Sequence, residues 1–384
     1  MLYPLSTTTW DQAEYAAMQR VINSGNFTMG HEVSNFEALF SSYHGRKHAV
    51  MVNSGSSANL LMVASLFFKK ENPLKISDEV IVPAISWSTT YTPLSQYGLK
   101  VKLVDVDAET LNFDLEQLAG AINDKTRMIF AVNLLGNSND YQAINALISG
   151  RDILLIEDNC ESLGAEYGGV KTGCFGVMSS FSSFFSHHIS TMEGGVVLTD
   201  NDELYHILLC LRAHGWTRHL PKENCVTGLK SEDPFEESFK FVLPGYNVRP
   251  MELSGAVGCE QIKKLPGLIA GRHRNANIFR DVLENHPLVS IQKEIGVSSW
   301  FGFSLVVRPE ADFSRDQLRA FLDAEGFEYR PIVAGNFAEQ EVLKYMNYEI
   351  FGSLKSASHI QNNGLFIGNH HYDVGPALRT LARL

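Results

Sequence analysis

The chain is short of cysteine, short of basic charge and free of long hydrophobic runs. None of its 384 residues falls in an uninterrupted apolar stretch of the roughly 18 residues that a membrane-spanning helix needs. The N-terminus, MLYPLSTTTWDQAEY, has no basic segment ahead of an apolar one, so no secretory signal is read and a cytoplasmic protein is expected. The five cysteines, Cys160, Cys174, Cys210, Cys225 and Cys259, are scattered and form no C-x-x-C pair. That spacing reads as reduced thiols and argues against structural zinc or an iron–sulfur cluster. Acidic residues outnumber basic ones 43 to 32, giving a net charge of -11. Non-specific nucleic-acid binding needs the opposite sign, although a local basic pocket for a phosphorylated small molecule is compatible with the total. One further lack is local: no lysine occurs between Lys171 and Lys222.

What is present is ordinary for a large globular chain, 45% hydrophobic and 20% charged, and enough to bury a large core in two domains. Helical spacing predicts helices over 10–23, with Ser24-Gly25 as a stop, and over 33–43. Short apolar runs from His48, Glu79, Lys100, Met128 and Asp152 alternate with helical segments at 114–122 and 141–148. This alternation predicts a mainly parallel sheet with helices on both faces. The joint Asn53-Ser-Gly-Ser-Ser-Ala reads strand, turn, helix, so Gly55, Ser56 and Ser57 would offer free amides at a helix start, as a phosphate requires. Trp87 follows a strand that stops at Pro83, where α/β folds place ligands, although for a lone Trp a core anchor is the better reading. The run from Asp152 delivers Glu157, Asp158 and Glu161 at its C-terminal end. A polar, aromatic-rich stretch over 214–244 reads as one long irregular loop, a common place for function. Beyond it, helices over 253–265 and from about 271, a strand pair in SSWFGFSLVV and a helix over 315–324 suggest a smaller α+β domain. The expected division is an N-terminal segment 1–30 packing with the small domain, a large domain 31–245 and a small domain 246–384.

Ser179 to Asp200, SSFSSFFSHHISTMEGGVVLTD, is the least usual stretch. Phe181, Phe184 and Phe185 suit a sheet flank. His187 and His188 do not, because paired imidazoles on a packed strand edge need partners or water. Read alone, they are as well explained as a solvated turn.

Five motifs in order, Asn53-Ser-Gly-Ser-Ser-Ala, Val82-Pro-Ala with Trp87, Ile156-Glu-Asp-Asn-Cys-Glu-Ser, the 179–198 core and Tyr246-Asn-Val-Arg-Pro, make the chain resemble the DegT/DnrJ/EryC1/StrS sugar aminotransferases. These vitamin-B6 enzymes act on nucleotide-linked keto-sugars. The resemblance implies the aspartate-aminotransferase fold (PLP fold type I), with a large mixed-sheet α/β domain and a smaller α+β domain. It implies pyridoxal 5'-phosphate with its ring nitrogen held protonated by Asp158, covered by Trp87, and its phosphate on Gly55, Ser56 and Ser182. Glu161 would support the cofactor pocket. A homodimer with shared active sites is implied too, Asn247 reaching the phosphate bound by the neighbouring subunit. Arg218 and Arg249 are candidates for a nucleotide diphosphate or a glutamate carboxylate, since guanidinium forks suit such anions. Read as surface ion pairs they are nearly as well explained. His214 and Tyr329 complete the substrate-binding candidates.

The departure from that family decides the activity. Its aminotransferases carry a lysine six residues before the Glu of Glu-Gly-Gly, and that lysine holds the cofactor covalently. Here Glu193-Gly-Gly is preceded at that distance by His187. An imidazole keeps a base of suitable pKa and removes the covalent tether. The substitution resembles the nucleotide-sugar 3-dehydratases, with His187 as catalytic base and His188 in orientation or packing. It implies a lyase using non-covalent pyridoxamine 5'-phosphate, L-glutamate as amino donor and GDP-4-keto-6-deoxy-D-mannose as substrate. Metal and iron–sulfur cluster are not expected. An iron–sulfur-dependent 3-dehydratase acting on a CDP-linked sugar, and a cofactor-binding protein without activity, remain the alternative readings.

Overall fold

The computed structural model describes residues 3–384. Strands β1 (His48–Val52), β2 (Glu79–Pro83), β3 (Lys100–Val104), β4 (Thr126–Val132) and β5 (Leu154–Asp158) lead the large domain. A short hairpin, β6 (Glu166–Tyr167) and β7 (Val170–Lys171), separates them from β8 (Met178–Ser182) and β9 (Gly195–Thr199). A second hairpin, β10 (Glu223–Asn224) and β11 (Gly228–Leu229), lies in the aromatic stretch, and β12 (Val289–Ser290), β13 (Gly302–Val307), β14 (Tyr329–Arg330), β15 (Tyr348–Ile350) and β16 (Gly364–Gly368) follow. The large sheet has the order β1-β9-β8-β5-β4-β2-β3-β15. Only β9 runs against the rest, pairing antiparallel with both β1 and β8. The sheet is therefore mixed but mainly parallel, and strands such as β2 are buried along their whole length, as both-faced burial demands.

Helices α1 (Gln12–Ser24), α2 (His31–His44), α3 (Gly55–Leu66) and α4 (Ser88–Gln96) surround this sheet with α5 (Leu115–Ala121), α6 (Tyr141–Ile148) and α7 (Asp202–Arg212). Helix α3 is apolar on every side because it lies between the sheet and α7, in one core with Val82, Phe130 and Leu208. A one-turn α8 (Pro234–Glu237) precedes α9 (Glu252–Leu283). The sequence suggests two helices where α9 is one, continuous through Pro266. Pro266 is exposed, so the missing amide and the ring fall on the solvent side, where they cost least.

The small sheet, β12-β13-β16-β14, packs on α9 and on α10 (Arg315–Glu325). Tyr3 joins that core, its ring 4.6 Å from Phe327 and its hydroxyl donating to the Gly368 carbonyl at 2.8 Å. Residues 337–350 leave the small sheet: Phe337 and Leu343 enter the large core and β15 becomes the outer strand beside β3. A division at residue 245 thus misses a segment that returns. The aromatic pattern of SSWFGFSLVV yields one strand rather than two, because 298–301 carries Trp300 at φ +50° and pairs with no strand. Among the described residues no helix is long and apolar enough to cross a membrane.

His44 is enclosed by Phe40 and Phe181, its Nδ1–H donating to the Phe40 carbonyl at 3.0 Å. Burial pushes its pKa from 6.5 down to about 3. The unfolded chain therefore takes up this proton first as pH falls below 6.5, and stability drops until the folded value is reached. Unfolding in urea should show about 2 kcal/mol less stability at pH 5 than at pH 7 from this group alone.

Candidate active site

A cavity of about 450 Å³ opens at the C-terminal ends of β2, β4 and β5, between the two domains. Its floor is Asp158, the last residue of β5. Alternation along the strand separates the neighbouring acids. Glu157 turns away and accepts three amides, from Gly173, Phe175 and Gly176, each at 2.7 Å. Asp158 faces the cavity, where Oδ2 accepts from Asn59 Nδ2 and Thr90 Oγ1, both at 2.8 Å. Oδ1 accepts the Cys160 amide at 3.1 Å. Asn59 is itself fixed by the Ser180 hydroxyl at 2.6 Å, and Thr90 by Ser86 at 2.7 Å. The carboxylate is therefore held rigidly, each oxygen accepting at least one ordered donor.

The wall beside it is the start of α3. Ser54 caps the helix, its hydroxyl accepting the Ser57 amide at 3.1 Å, while the Gly55 and Ser56 amides have no acceptor among the described residues. A Cβ on Gly55 would lie 2.7 Å from Ser182 Cβ, and one on Gly195 2.3 Å from the Ser54 carbonyl oxygen. Both glycines are required by close approach, and Glu193-Gly-Gly closes the cup because β9 must pass directly against the turn. Trp87 precedes α4 and is 57% exposed over the cavity rather than anchored in the core.

Opposite lies the 183–193 turn. The strand ends at Ser182, so of the three phenylalanines only Phe181 is in the sheet, while Phe184 and Phe185 are exposed. His187 Nδ1–H donates to the Cys160 carbonyl at 2.6 Å, which leaves Nε2 without a proton. Burial, with the Arg272 charge in the same direction and the Cys160 bond against it, lowers its pKa to about 4. His188 points the other way, fully enclosed, donating from Nε2 to the Ser299 carbonyl at 3.1 Å. Glu161 accepts the Leu135 amide at 2.9 Å, and burial pushes its pKa up to about 7. Leu135 donates from φ +53°, strain of the kind found at functional sites.

The structure thus brings Gly55, Ser56, Trp87, Asp158, Glu161, Ser182 and His187 onto one cavity. It does not bring the others there. The His214 ring lies 4.7 Å from that of Trp216, tilted by 45°, with the Arg218 and Arg249 guanidinium carbons 4.5 and 5.9 Å from the Trp216 ring. Asn247 accepts from Arg249 Nε at 2.9 Å in the same cluster. Tyr329 lines a separate open cleft, its hydroxyl donating to Asp323 at 3.2 Å. The reason is register: Tyr329 pairs with buried Ile367, whereas Arg330 pairs with Phe366 and faces the cavity. Arg330 has no ion pair among the described residues, and against Asp158, Glu161 and Glu193 it is the one formal cation on the cavity wall. Asn59 and Phe301 also line the cavity, and buried Thr90 supports it through its bond to Asp158. A two-residue strand carries no alternation from which Arg330 could be selected, and nothing in the sequence singles out the other three.

These residues fit pyridoxal phosphate: unpaired helix amides in a cradle too tight for a side chain, a fixed buried carboxylate and an exposed indole face. Comparisons with known proteins agree. GDP-4-keto-6-deoxy-D-mannose 3-dehydratase of Yersinia pseudotuberculosis is 56% identical over 380 residues, 99% of this chain and 97% of the relative. A solved GDP-4-keto-6-deoxymannose-3-dehydratase with a trapped PLP-glutamate geminal diamine superposes with a TM-score of 0.98 at 55% identity, covering 99% of each chain. A variant of such an enzyme, a histidine replaced by asparagine and GDP-perosamine bound, gives the same score, identity and coverage. Chains only 20–23% identical share the fold with TM-scores of 0.83 to 0.85. With its family model matching residues 8–372, the chain belongs to the DegT/DnrJ/EryC1/StrS aminotransferase family.

Proposed function

We propose that the chain removes the C3 hydroxyl of GDP-4-keto-6-deoxy-D-mannose. It uses a vitamin-B6 cofactor that cycles between pyridoxal and pyridoxamine phosphate, held without a covalent bond. L-Glutamate supplies the amino group and leaves as 2-oxoglutarate; the sugar leaves as GDP-4-keto-3,6-dideoxy-D-mannose, with ammonia. The observation that carries this reading is His187 in the place of the family's lysine, with Nδ1 anchored on Cys160 and Nε2 bare toward the cavity.

When bound, the cofactor supplies an amine for the C4 carbonyl and a conjugated ring that accepts electrons. The chain's own residues do the rest. Gly55, Ser56 and Ser182 hold phosphate, Asp158 keeps a proton on the ring nitrogen, and Trp87 covers the ring face. His187 Nε2 takes a proton at the carbon next to the ring and returns it toward the departing hydroxyl. Glu161 supports the pocket as a carboxyl that is partly protonated near pH 7. Arg330 receives an anionic group of a substrate. We place Asn247, Arg218, Arg249 and His214 in the site of a second subunit of a cytoplasmic homodimer. Their cluster lies off the chain's own cavity, beside Phe239 and Phe241, 68% and 56% exposed.

The test is incubation with glutamate, pyridoxal phosphate and GDP-4-keto-6-deoxy-D-mannose, followed by mass spectrometry. A sugar lighter by one oxygen is expected; an amino-sugar would make the protein a transaminase instead. Arg330→Met should raise KM for one anionic substrate about tenfold with little change in kcat. Initial rates with each substrate varied separately show which one.

A further inference from the structure

Four consecutive carbonyls run behind the base turn, and each accepts a hydrogen bond from a basic side chain. His273 Nε2–H donates to Ser298 at 2.7 Å and His188 Nε2–H to Ser299 at 3.1 Å. Arg272 Nη1 donates to Trp300 at 3.4 Å, to Phe301 at 3.0 Å and to Asn369 at 2.9 Å. Two of the strap's amides are tied to the large domain, Ser299 donating to Gly136 at 2.9 Å and Phe301 to Leu135 at 3.0 Å. The approach is close: a Cβ on Gly136 would lie 2.6 Å from the Trp300 nitrogen. Trp300 and Leu135 both sit in the left-handed region, at φ +50° and +53°, a strain that persists only where the surroundings impose it. The strap ends in Phe301, whose ring centre is 5.0 Å from that of His187 and 5.8 Å from that of His188.

Arg272 is only 5% exposed and makes no ion pair among the described residues; its Nε has no partner. A buried cation without a carboxylate is costly, and an apolar side chain of similar size would pack without that cost. We propose that Arg272 and His188 are positioning residues for the dehydration: they lock the 298–301 strap so that Phe301 holds the His187 ring, and the uncompensated guanidinium adds to burial in keeping Nε2 free of a proton. The groups facing His187 divide by sign. Asp158 and Glu161 at the end of β5 and Glu193 at the hinge favour the imidazolium. Arg272 on α9, Arg330 on β14 and His188 in the same turn oppose it when charged, while His273 on α9 acts on His188. Of these, Arg272 is the one buried permanent cation, and it acts on both histidines.

This inference rests on His187 being the base. A wild-type enzyme that yields no dehydrated sugar overturns that reading; wild-type turnover with the results below absent overturns the inference alone. The experiment measures the pH dependence of kcat/KM for the nucleotide sugar, together with 15N NMR titration of the histidines, in Arg272→Met, Arg272→Lys, His188→Gln, His188→Leu and Phe301→Leu. Loss of the charge in Arg272→Met should move the acid limb and the His187 titration upward by about one pH unit, with kcat down about tenfold. Arg272→Lys keeps the charge and should lower kcat without moving the limb. His188→Gln, whose amide can still donate to Ser299, should lower kcat less than His188→Leu. If Arg272→Met does not fold, Phe301→Leu decides, since it leaves every bond to the strap carbonyls in place: kcat down severalfold is expected, and wild-type kcat overturns the proposal. An unmoved limb in folded Arg272→Met, with only a lower melting temperature, overturns it equally.

Discussion

Replacing His187 by lysine is expected to attach the cofactor covalently and to abolish 3-dehydration. The side chain leaves the turn toward the cavity, and the cavity wall opposite carries the cofactor cradle at Gly55, Ser56 and Ser182. An amine on that stem would be placed where the family's lysine lies. Two things are lost together: the Nδ1 anchor on Cys160 and a base that is unprotonated well below neutral pH. General-base catalysis by one positioned group contributes about 10²–10⁴-fold, so dehydration should fall by about a thousandfold. Cofactor absorbance that survives dialysis, alongside product analysis, checks both halves. Dehydration at the wild-type rate in this variant would remove His187 from its role. In the native enzyme the same base predicts a rate that is flat from pH 8 to about 5 and falls as pH approaches 4, where the imidazole takes up its proton.

Asp158→Asn should slow the glutamate and sugar half-reactions alike, by about a hundredfold or more, because both need the protonated ring nitrogen that a carboxylate secures. The substitution is nearly isosteric, yet Asn59 and Thr90 both donate to Oδ2. An amide can accept these bonds only with its oxygen at that position, so its NH₂ group must take the place of Oδ1, where the Cys160 amide already donates. Stopped-flow absorbance after glutamate addition isolates the first half-reaction. Glu157→Gln, one residue earlier, should lower stability and leave cofactor chemistry intact, since Glu157 serves the Gly173–Gly176 loop on the other side of the sheet. Equal losses in both variants would mean that the end of β5, and not the charge of Asp158, matters.

Much of this site could be read from the residues because its parts are local. Gly55 and Asp158 lie at a strand–turn–helix joint and at a strand end, which leave few choices of direction, whereas His187 is legible only through the position at which the family carries its lysine. Contacts that join distant segments were not readable in this way. Asn59 and Thr90 sit on two helices with unremarkable sequence around them, and meet Asp158 only through the strand order of the large sheet, in which β1 and β2, the strands before those helices, lie on opposite sides of β5. Tyr329 is a candidate from the sequence and Arg330 is the residue on the cavity, because a two-residue strand gives no periodicity from which to take its facing; its pairing with β16 sets that. Pro266 looked like a helix end, and only its exposure shows why the helix continues. The segment 337–350 carries no signal that it goes back to the first domain, since a three-residue strand with Tyr348, Glu349 and Ile350 resembles any surface loop.

That returning strand has a consequence for how the protein is made. Until β15 arrives, β3 is an open edge of the large sheet, with unpaired amides and carbonyls along Val101–Leu103. Its ionic residues are unsettled too: Lys100 pairs with Glu349, and the buried Lys102, 2.7 Å from Glu79, has Glu349 at 3.8 Å as a second partner. On a ribosome adding about 5–20 residues each second, roughly 250 more residues must follow β3 before Glu349 emerges. The nascent large domain therefore waits many seconds with an adhesive flank. Fragments that stop short of β15 should associate edge to edge, and separate expression of the first domain should call for β15 supplied as a peptide.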